Sequence, residues 1–304
     1  MKEKLRDLEP QGVLSLLMLS LLKLMRPHHY VKNFFIFAPL FFATKIAETQ
    51  LLLISLYAFI SFSLAASAIY IFNDYNDIGD DKHHPKKKHR PLASGVISKS
   101  QAIALIGLLI SSSFLIAFTF ATQAIPILVA YLLMNILYCV WLKHVAIIDI
   151  TIIAVGFVFR LFIGATVTDI PLSMWIVVMT FMLALFMALA KRRDDVLIFN
   201  GTGKKMRKVV DGYNIDFLNM SMAIMASVII VAYTIYTTSA DVIARVGSNH
   251  LYITTLFVVV GIMRYLQITF VLEESGSPTQ VLLKDRFLQL TLLGWIATFG
   301  WLLY

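Results

Sequence analysis

Charge and cysteine are what this chain has least of. Only 14% of its 304 residues are charged, against about 25% in ordinary soluble domains. A single cysteine, Cys139, rules out an internal disulfide and with it a disulfide-stapled secreted scaffold. Acidic residues are scarcer than basic ones, 18 against 26, so the net charge is +8 and the isoelectric point about 9.5. No G-x-x-x-x-G-K-[ST] string occurs, and Gly201-Thr202-Gly203-Lys204-Lys205 lacks the strand-turn-helix setting of a P-loop. No H-x-x-x-H pair supports a transition-metal site, although there are seven histidines. Nothing in the chain has the pattern of a nucleic-acid-binding fold, and the strongly apolar composition excludes disorder and a coiled coil.

What is present is apolar sequence. Apolar residues make up 59% of the chain and the mean hydropathy is +0.80. A bilayer core of roughly 30 Å needs about 20 apolar residues of helix. With that window the candidate spans are 31–45, 50–73, 101–122, 124–142, 146–168, 171–190, 214–237, 250–271 and 286–303. The first is short and is expected to be extended by the leucine-rich stretch 13–25, which alone could be an interfacial helix. Lys23, Arg26 and Lys32 interrupt that stretch and no small-residue cleavage site follows, so it does not read as a cleavable signal peptide. The expected fold is an all-α integral membrane bundle of about nine transmembrane helices with two long cytoplasmic loops, forming a single domain over residues 1–304.

Charge asymmetry gives the expected orientation. With the N-terminus inside, segments 1–32, 74–100, 143–145, 191–213 and 272–285 hold nearly all Lys and Arg outside the spans, while the outer connections offer essentially Lys45 and Arg245. By the positive-inside rule the N-terminus is cytoplasmic, in a multi-pass inner (cell) membrane protein. The long loops follow the second and sixth spans, which hints at a duplicated helical unit.

The charges that remain are concentrated. Asn73-Asp74-Tyr75-Asn76-Asp77-Ile78-Gly79-Asp80-Asp81 follows an apolar run directly. If the helix continues, Asp74, Asp77 and Asp81 share a face, and Asn73 lies one turn from Asp77. Like charges so gathered repel unless a cation binds among them, and hard oxygen donors at a helix C-terminus suit Mg²⁺, which usually takes one or two carboxylates plus substrate phosphates. Asp74, Asp77 and Asp81 are thus the catalytic candidates, and with Asn73 the metal candidates. The basic tract Lys82 to Arg90 follows at once; Lys87 and Arg90 are suited to phosphate oxygens. Arg160 and Arg264 lie inside apolar spans, where a charge costs at least about 2.5–3.5 kcal/mol and therefore faces a cavity or a partner. Arg160 is expected to line a phosphate-binding cavity. Arg264 fits equally a snorkelling residue near the cytoplasmic end. Asp149 is suited to pairing with an arginine, and Asp169 to an outer turn.

The string N-D-x-x-D-x-x-x-D from Asn73 to Asp81, followed by H-P-x-K-x-x-R-P from His84 to Pro91, resembles the signature loop of the UbiA-type membrane transferase superfamily. The resemblance implies about nine transmembrane helices around a lipid-facing cavity and Mg²⁺-dependent group transfer, in most members of a polyprenyl group to an aromatic acceptor. Further segments resemble its polyprenyl-phosphate phosphoribosyltransferase (decaprenyl-phosphate-like) branch: Arg26-Pro27-His28-His29-Tyr30-Val31-Lys32-Asn33, with tyrosine replacing tryptophan; Leu142-Lys143-His144 with Asp149 and Gly156 to Arg160; Lys191-Arg192-Arg193; and Val281 to Arg286. The chain departs from the aromatic prenyltransferases where they carry a second D-x-x-x-D motif. Here Lys191-Arg192-Arg193-Asp194-Asp195 stands instead, then Lys204, Lys205, Arg207 and Lys208, with Asp211 and Asp216 five apart. The resemblance implies phosphoribosyl transfer from phosphoribosyl diphosphate to a polyprenyl phosphate at the cytoplasmic face. Lys32, Asn33, His84, Lys87, Arg90, Lys143, Arg160, Lys191 and Arg192 are then the substrate-binding candidates. The alternative is prenyl transfer to an aromatic or quinone-precursor acceptor.

Overall fold

The computed structural model describes residues 10–83, 87–203, 208–274, 276 and 278–303. The described residues are helical almost throughout. The α-helices are α1 (Pro10–Met25), α2 (Ala38–Phe42), α3 (Thr49–Asn76), α4 (Ile78–His83), α5 (Lys99–Phe120), α6 (Ile125–Val140), α7 (Ile148–Thr168), α8 (Met174–Thr202), α9 (Ile215–Thr238), α10 (Ala240–Val246), α11 (Thr255–Phe270), α12 (Pro278–Lys284) and α13 (Arg286–Leu303). Among them, eight are long and apolar enough to cross a membrane: α3, α5, α6, α7, α8, α9, α11 and α13, with short 3₁₀ turns extending α6 and α11. They correspond to the last eight candidate spans.

The first candidate span takes a different form. Over the described residues helix α1 runs 16 residues, about 24 Å of rise, shorter than the hydrocarbon core. Arg26 then adopts a left-handed conformation (φ 56°, ψ 56°), Pro27 opens a 3₁₀ segment (Pro27–Phe37), and Pro39 lies in the five-residue α2. Two prolines and a reversal of backbone hand break what composition alone reads as one apolar run.

The chain divides into two compact units. The first comprises residues 1–143 and 159–171, the second 144–158 and 172–304, so α7 gives its first half to one and its second half to the other. In the first unit α3 is the central element, packed by α5, α6, α1 and the 3₁₀ segment. Its run Ser61-Phe62-Ser63-Leu64-Ala65-Ala66-Ser67-Ala68 is mostly small and buried, which lets helices approach closely where no hydrophobic effect drives them together. Ser61 Oγ donates to the Ser113 carbonyl at 2.8 Å and Ser113 Oγ to the Ser61 carbonyl at 2.7 Å, locking α3 to α5. Gly164 lies so near the Ile36 carbonyl that any Cβ there would collide with it.

In the second unit α8 and α9 lie side by side, and Phe186, Leu189, Leu218, Met222, Ile262 and Tyr265 are buried together in its core. Ser173 caps the start of α8, and Gly203, at φ 66°, ends it. Asn214 caps α9 by accepting the Phe217 N–H at 2.7 Å. Helices α3 and α8 run 28 and 29 residues, about 42–44 Å each. Both therefore overrun a 30 Å core and carry polar residues on their last turns.

Candidate active site

The acidic segment begins on that overrun. Helix α3 ends at Asn76, the Asp77 N–H still donates to the Asn73 carbonyl at 3.0 Å, and the Asp81 N–H donates to the Asp77 carbonyl at 2.8 Å. The nearly continuous helical path places the carboxylates as their spacing suggests, but they fall into two sets. Asp74 and Asp81 share one guanidinium: Arg90 Nη1 donates to Asp74 Oδ1 at 2.9 Å and to Asp81 Oδ2 at 2.7 Å. Arg26 Nη2 also donates to Asp74 Oδ1, at 2.5 Å, and Lys87 lies 3.8 Å from Asp81. The second set is Asn73 and Asp77. Asn73 Nδ2 donates to Asp77 Oδ2 at 3.0 Å, while Lys143 Nζ meets Asp77 Oδ1 at 2.5 Å.

Exposure separates the sets further. The side chains of Asp74 and Asp81 are each 3% exposed, and that of Asp77 is 23% exposed. Asp77 with the Asn73 amide oxygen is thus the part of the donor set a hydrated cation can reach. Among the described residues no three His, Cys, Asp or Glu side chains stand close enough to hold a metal by protein ligands alone. The set nevertheless fits Mg²⁺ as that ion is commonly held, by one or two carboxylates with substrate phosphate oxygens and water completing its shell.

Lys87, Arg90 and Lys143 therefore converge on the acidic segment. His84 lies outside the described residues, as do Lys204, Lys205 and Arg207. Arg160 is buried, but its Nε donates to Asn33 Oδ1 at 2.7 Å, and Asn33 Nδ2 donates to Ser63 Oγ at 2.8 Å. Its guanidinium lies over the Phe62 and Tyr131 rings, 4.9 and 5.8 Å from their centroids. Asn33 and Arg160 thus form a buried polar pair. Lys32 is half-buried beside His28, whose imidazole is held below its ordinary pKa by burial and then by the Arg26 and Lys32 charges.

Arg26 is the residue sequence reasoning passed over as a site residue. The signal was available: a cation immediately before Pro27, at the end of an apolar helix. The left-handed backbone there costs of the order of 1–3 kcal/mol, and it seats the guanidinium over the Tyr70 ring, 5.3 Å from the centroid.

The second unit holds a different network. Lys191 is half-buried on α8. Its neighbour Arg192 is 1% exposed and turned inward, Nε donating to Asp149 Oδ2 at 2.5 Å and Nη1 to Asp195 Oδ2 at 2.7 Å. Tyr213 OH donates to Asp149 Oδ1 at 2.5 Å and accepts the Ile147 N–H at 2.7 Å. Burial, and then the bond to Asp149, push the phenol pKa upward. Ile147 has φ 70°, a left-handed conformation rare for a β-branched residue. Arg193 Nε donates to Asn219 Oδ1 at 2.8 Å and Nη1 to the Thr269 carbonyl at 2.7 Å, satisfying the end of α11. Gly276 packs against Asp194 closely enough that a Cβ would strike its carboxylate. Asp149 does pair with an arginine, and Asp169 does follow the end of α7.

A model of the UbiA prenyltransferase family matches residues 33–290. The decaprenyl-phosphate phosphoribosyltransferase of Mycolicibacterium smegmatis is 32% identical over 301 residues, covering 94% of this chain and 92% of that one. The enzyme of the same name from Mycobacterium tuberculosis is 30% identical over 288 residues, covering 93% and 94%. A UbiA homolog from Archaeoglobus fulgidus, solved bound to DMAPP and Mg²⁺, shares the fold with a TM-score of 0.67 at 16% identity, over 93% of this chain and 99% of that one.

Proposed function

The chain belongs to the UbiA prenyltransferase family, and from that membership we propose that it transfers a 5-phosphoribosyl group from phosphoribosyl diphosphate to a polyprenyl phosphate, releasing diphosphate. It is a multi-pass membrane enzyme, a transferase of the phosphoribosyltransferase kind. The observation that carries the finer reading is its likeness, along nearly the whole chain, to two decaprenyl-phosphate phosphoribosyltransferases. The site chemistry agrees. Two phosphorylated substrates bring more negative charge than a prenyl diphosphate with an aromatic acid, and Arg26, Lys87, Arg90 and Lys143 gather at one acidic segment.

Asn73 and Asp77 would hold Mg²⁺, and that ion supplies charge neutralisation of the leaving diphosphate. The bond from the ribose anomeric carbon to the diphosphate oxygen breaks, and a lipid phosphate oxygen forms the new bond at that carbon. The nucleophile is already anionic at neutral pH, so the chain needs no general base. Its own residues bind and orient: Arg90, Lys87 and Lys143 meet phosphate oxygens, and positioning with electrostatic stabilisation lowers the barrier. Lys32 and Lys191 are further phosphate-contact candidates, on the sequence pattern alone. The distribution of Lys and Arg along the sequence supports a site on the cytoplasmic side, with the N-terminus on the same side.

The test is direct. Purified protein is incubated with ribose-labelled phosphoribosyl diphosphate and polyprenyl phosphates of several lengths, with and without Mg²⁺. Label is expected to enter the organic phase, with metal dependence. If no length yields labelled lipid, while labelled prenyl diphosphate is consumed with an aromatic acid, the donor assignment is overturned in favour of prenyl transfer.

A further inference from the structure

The three carboxylates of the acidic segment share a sequence string but not an environment. Asp77 is partly exposed and paired with the Asn73 amide and Lys143. Asp74 and Asp81 are almost wholly enclosed and bridged by Arg90 Nη1. A hydrated Mg²⁺ gives up its water reluctantly and needs room for what it keeps. The enclosed pair offers little room, and its charge is already met by guanidinium groups.

What the enclosed pair does is fix two arginines. Arg26 and Arg90 each have one terminal nitrogen on the Asp74–Asp81 pair, and their side chains are 19% and 27% exposed. A guanidinium carries five N–H donors in a fixed fork. Among the described residues, Asp74 is the only side-chain hydrogen-bond partner of Arg26, and Asp74 and Asp81 are the only ones of Arg90. Among the described residues, most of each fork therefore has no side-chain acceptor. Arg26 is held three ways: by Asp74, by the Tyr70 face and by its left-handed backbone, where its carbonyl accepts the His29 N–H at 2.9 Å. Two forks anchored on buried carboxylates, with donors to spare, match the geometry of phosphate recognition.

We propose that Asp74 and Asp81 are positioning residues that hold Arg26 and Arg90 as a two-arginine phosphate receptor, and that Arg26 contacts a substrate phosphate while the metal binds at Asn73 and Asp77. This divides the acidic segment into a cationic-receptor half and a metal half. It rests on the phosphate chemistry of the proposed function but not on which group is transferred.

Binding without turnover tests it. Wild type, Arg26→Ala, Arg26→Lys, Asp74→Asn and Asp77→Asn are prepared full-length in detergent. Each is titrated with inorganic diphosphate, ribose 5-phosphate and farnesyl phosphate without metal, and separately with Mn²⁺ followed by electron paramagnetic resonance. Arg26→Ala is expected to weaken at least one phosphate probe by roughly tenfold or more, the scale of a charge-assisted hydrogen bond. The probe affected identifies which phosphate Arg26 meets. Arg26→Lys, which keeps the charge and the ion pair, is expected to lose less and guards against an alanine variant that does not fold. Asp74→Asn should weaken the same probe and retain bound Mn²⁺, whereas Asp77→Asn should lose the Mn²⁺ signal. Unchanged affinity for all three probes in both Arg26 variants would overturn the receptor. Loss of Mn²⁺ in Asp74→Asn equal to that in Asp77→Asn would overturn the division. Failure to transfer a phosphoribosyl group would leave both readouts intact, so the two readings fail separately.

Discussion

Each unit of this protein carries one charged network at the polar end of an overlong helix, and the two are built to different ends. At the end of α3 the cations Arg26, Lys87 and Arg90 stay 19–27% exposed, as does Asp77 at 23%. On α8, Arg192 and its partner Asp149 are 1% and 0% exposed, and the remaining Asp149 oxygen is taken by Tyr213. The first arrangement leaves donors facing outward, where a phosphate can exchange with solvent. The second turns Arg192 Nε and Nη1 inward, onto Asp149 and Asp195. On the proposed function, exposure rather than the number of charges separates the binding network from the structural one.

That distinction is open to attack. The largest effect is expected from Asp77→Ala, which should lower Mg²⁺-dependent turnover roughly a thousandfold, a loss seen when a key electrostatic group is removed, while the melting temperature stays near that of wild type. A well-folded variant with near-normal turnover would remove the first network from the catalytic site. Arg192→Ala should do the converse. It leaves Asp149 charged and buried without its partner, a change that costs about 3–5 kcal/mol, read as lower thermal stability in detergent. A variant of normal stability but defective substrate binding would make Arg192 a binding residue and erase the contrast. Tyr213→Phe strikes the same network more gently. It removes one bond to Asp149 and strands the Ile147 N–H, at about 1–3 kcal/mol. Its stability should fall between Arg192→Ala and wild type.

The same contrast explains what could be read from sequence. Eight spans were legible because hydrocarbon length and apolar run match one to one. The broken first segment was not, since the pattern around Phe34 to Phe42 is as apolar as a span; Pro27 and Pro39 were the visible warnings. Spacing placed Asp74, Asp77 and Asp81 on one stretch of helix, yet which cation each takes depends on residues up to 66 positions away, as with Lys143. Lys191, Arg192 and Arg193 read as three equivalent cations. Only the burial of Asp149, brought in by α7, singles out Arg192 and ties it inward.

The smallest effect probes a charge pair that belongs to neither network. Asp285, just before α13, accepts Arg264 Nη2 at 2.7 Å and the Leu288 N–H at 2.8 Å, so Arg264 has a carboxylate partner in place of the solvent it would reach by snorkelling. The Arg264 hydrogen bond holds the Asp285 carboxyl below its ordinary value, partly opposed by burial. A carboxyl whose folded pKa lies below its unfolded one stabilises the fold in full above the unfolded value, and that contribution is lost as pH falls through the folded value. It should be complete at neutral pH and fade below about pH 4. Asp285→Asn should therefore lower the melting temperature slightly at pH 7, by about one degree, and the difference from wild type should vanish in acid. If the two proteins instead diverge further as pH falls, Asp285 is not held ionised by Arg264. If Asp285→Asn matches Arg192→Ala in severity, exposure has ceased to separate the ion pairs of this fold.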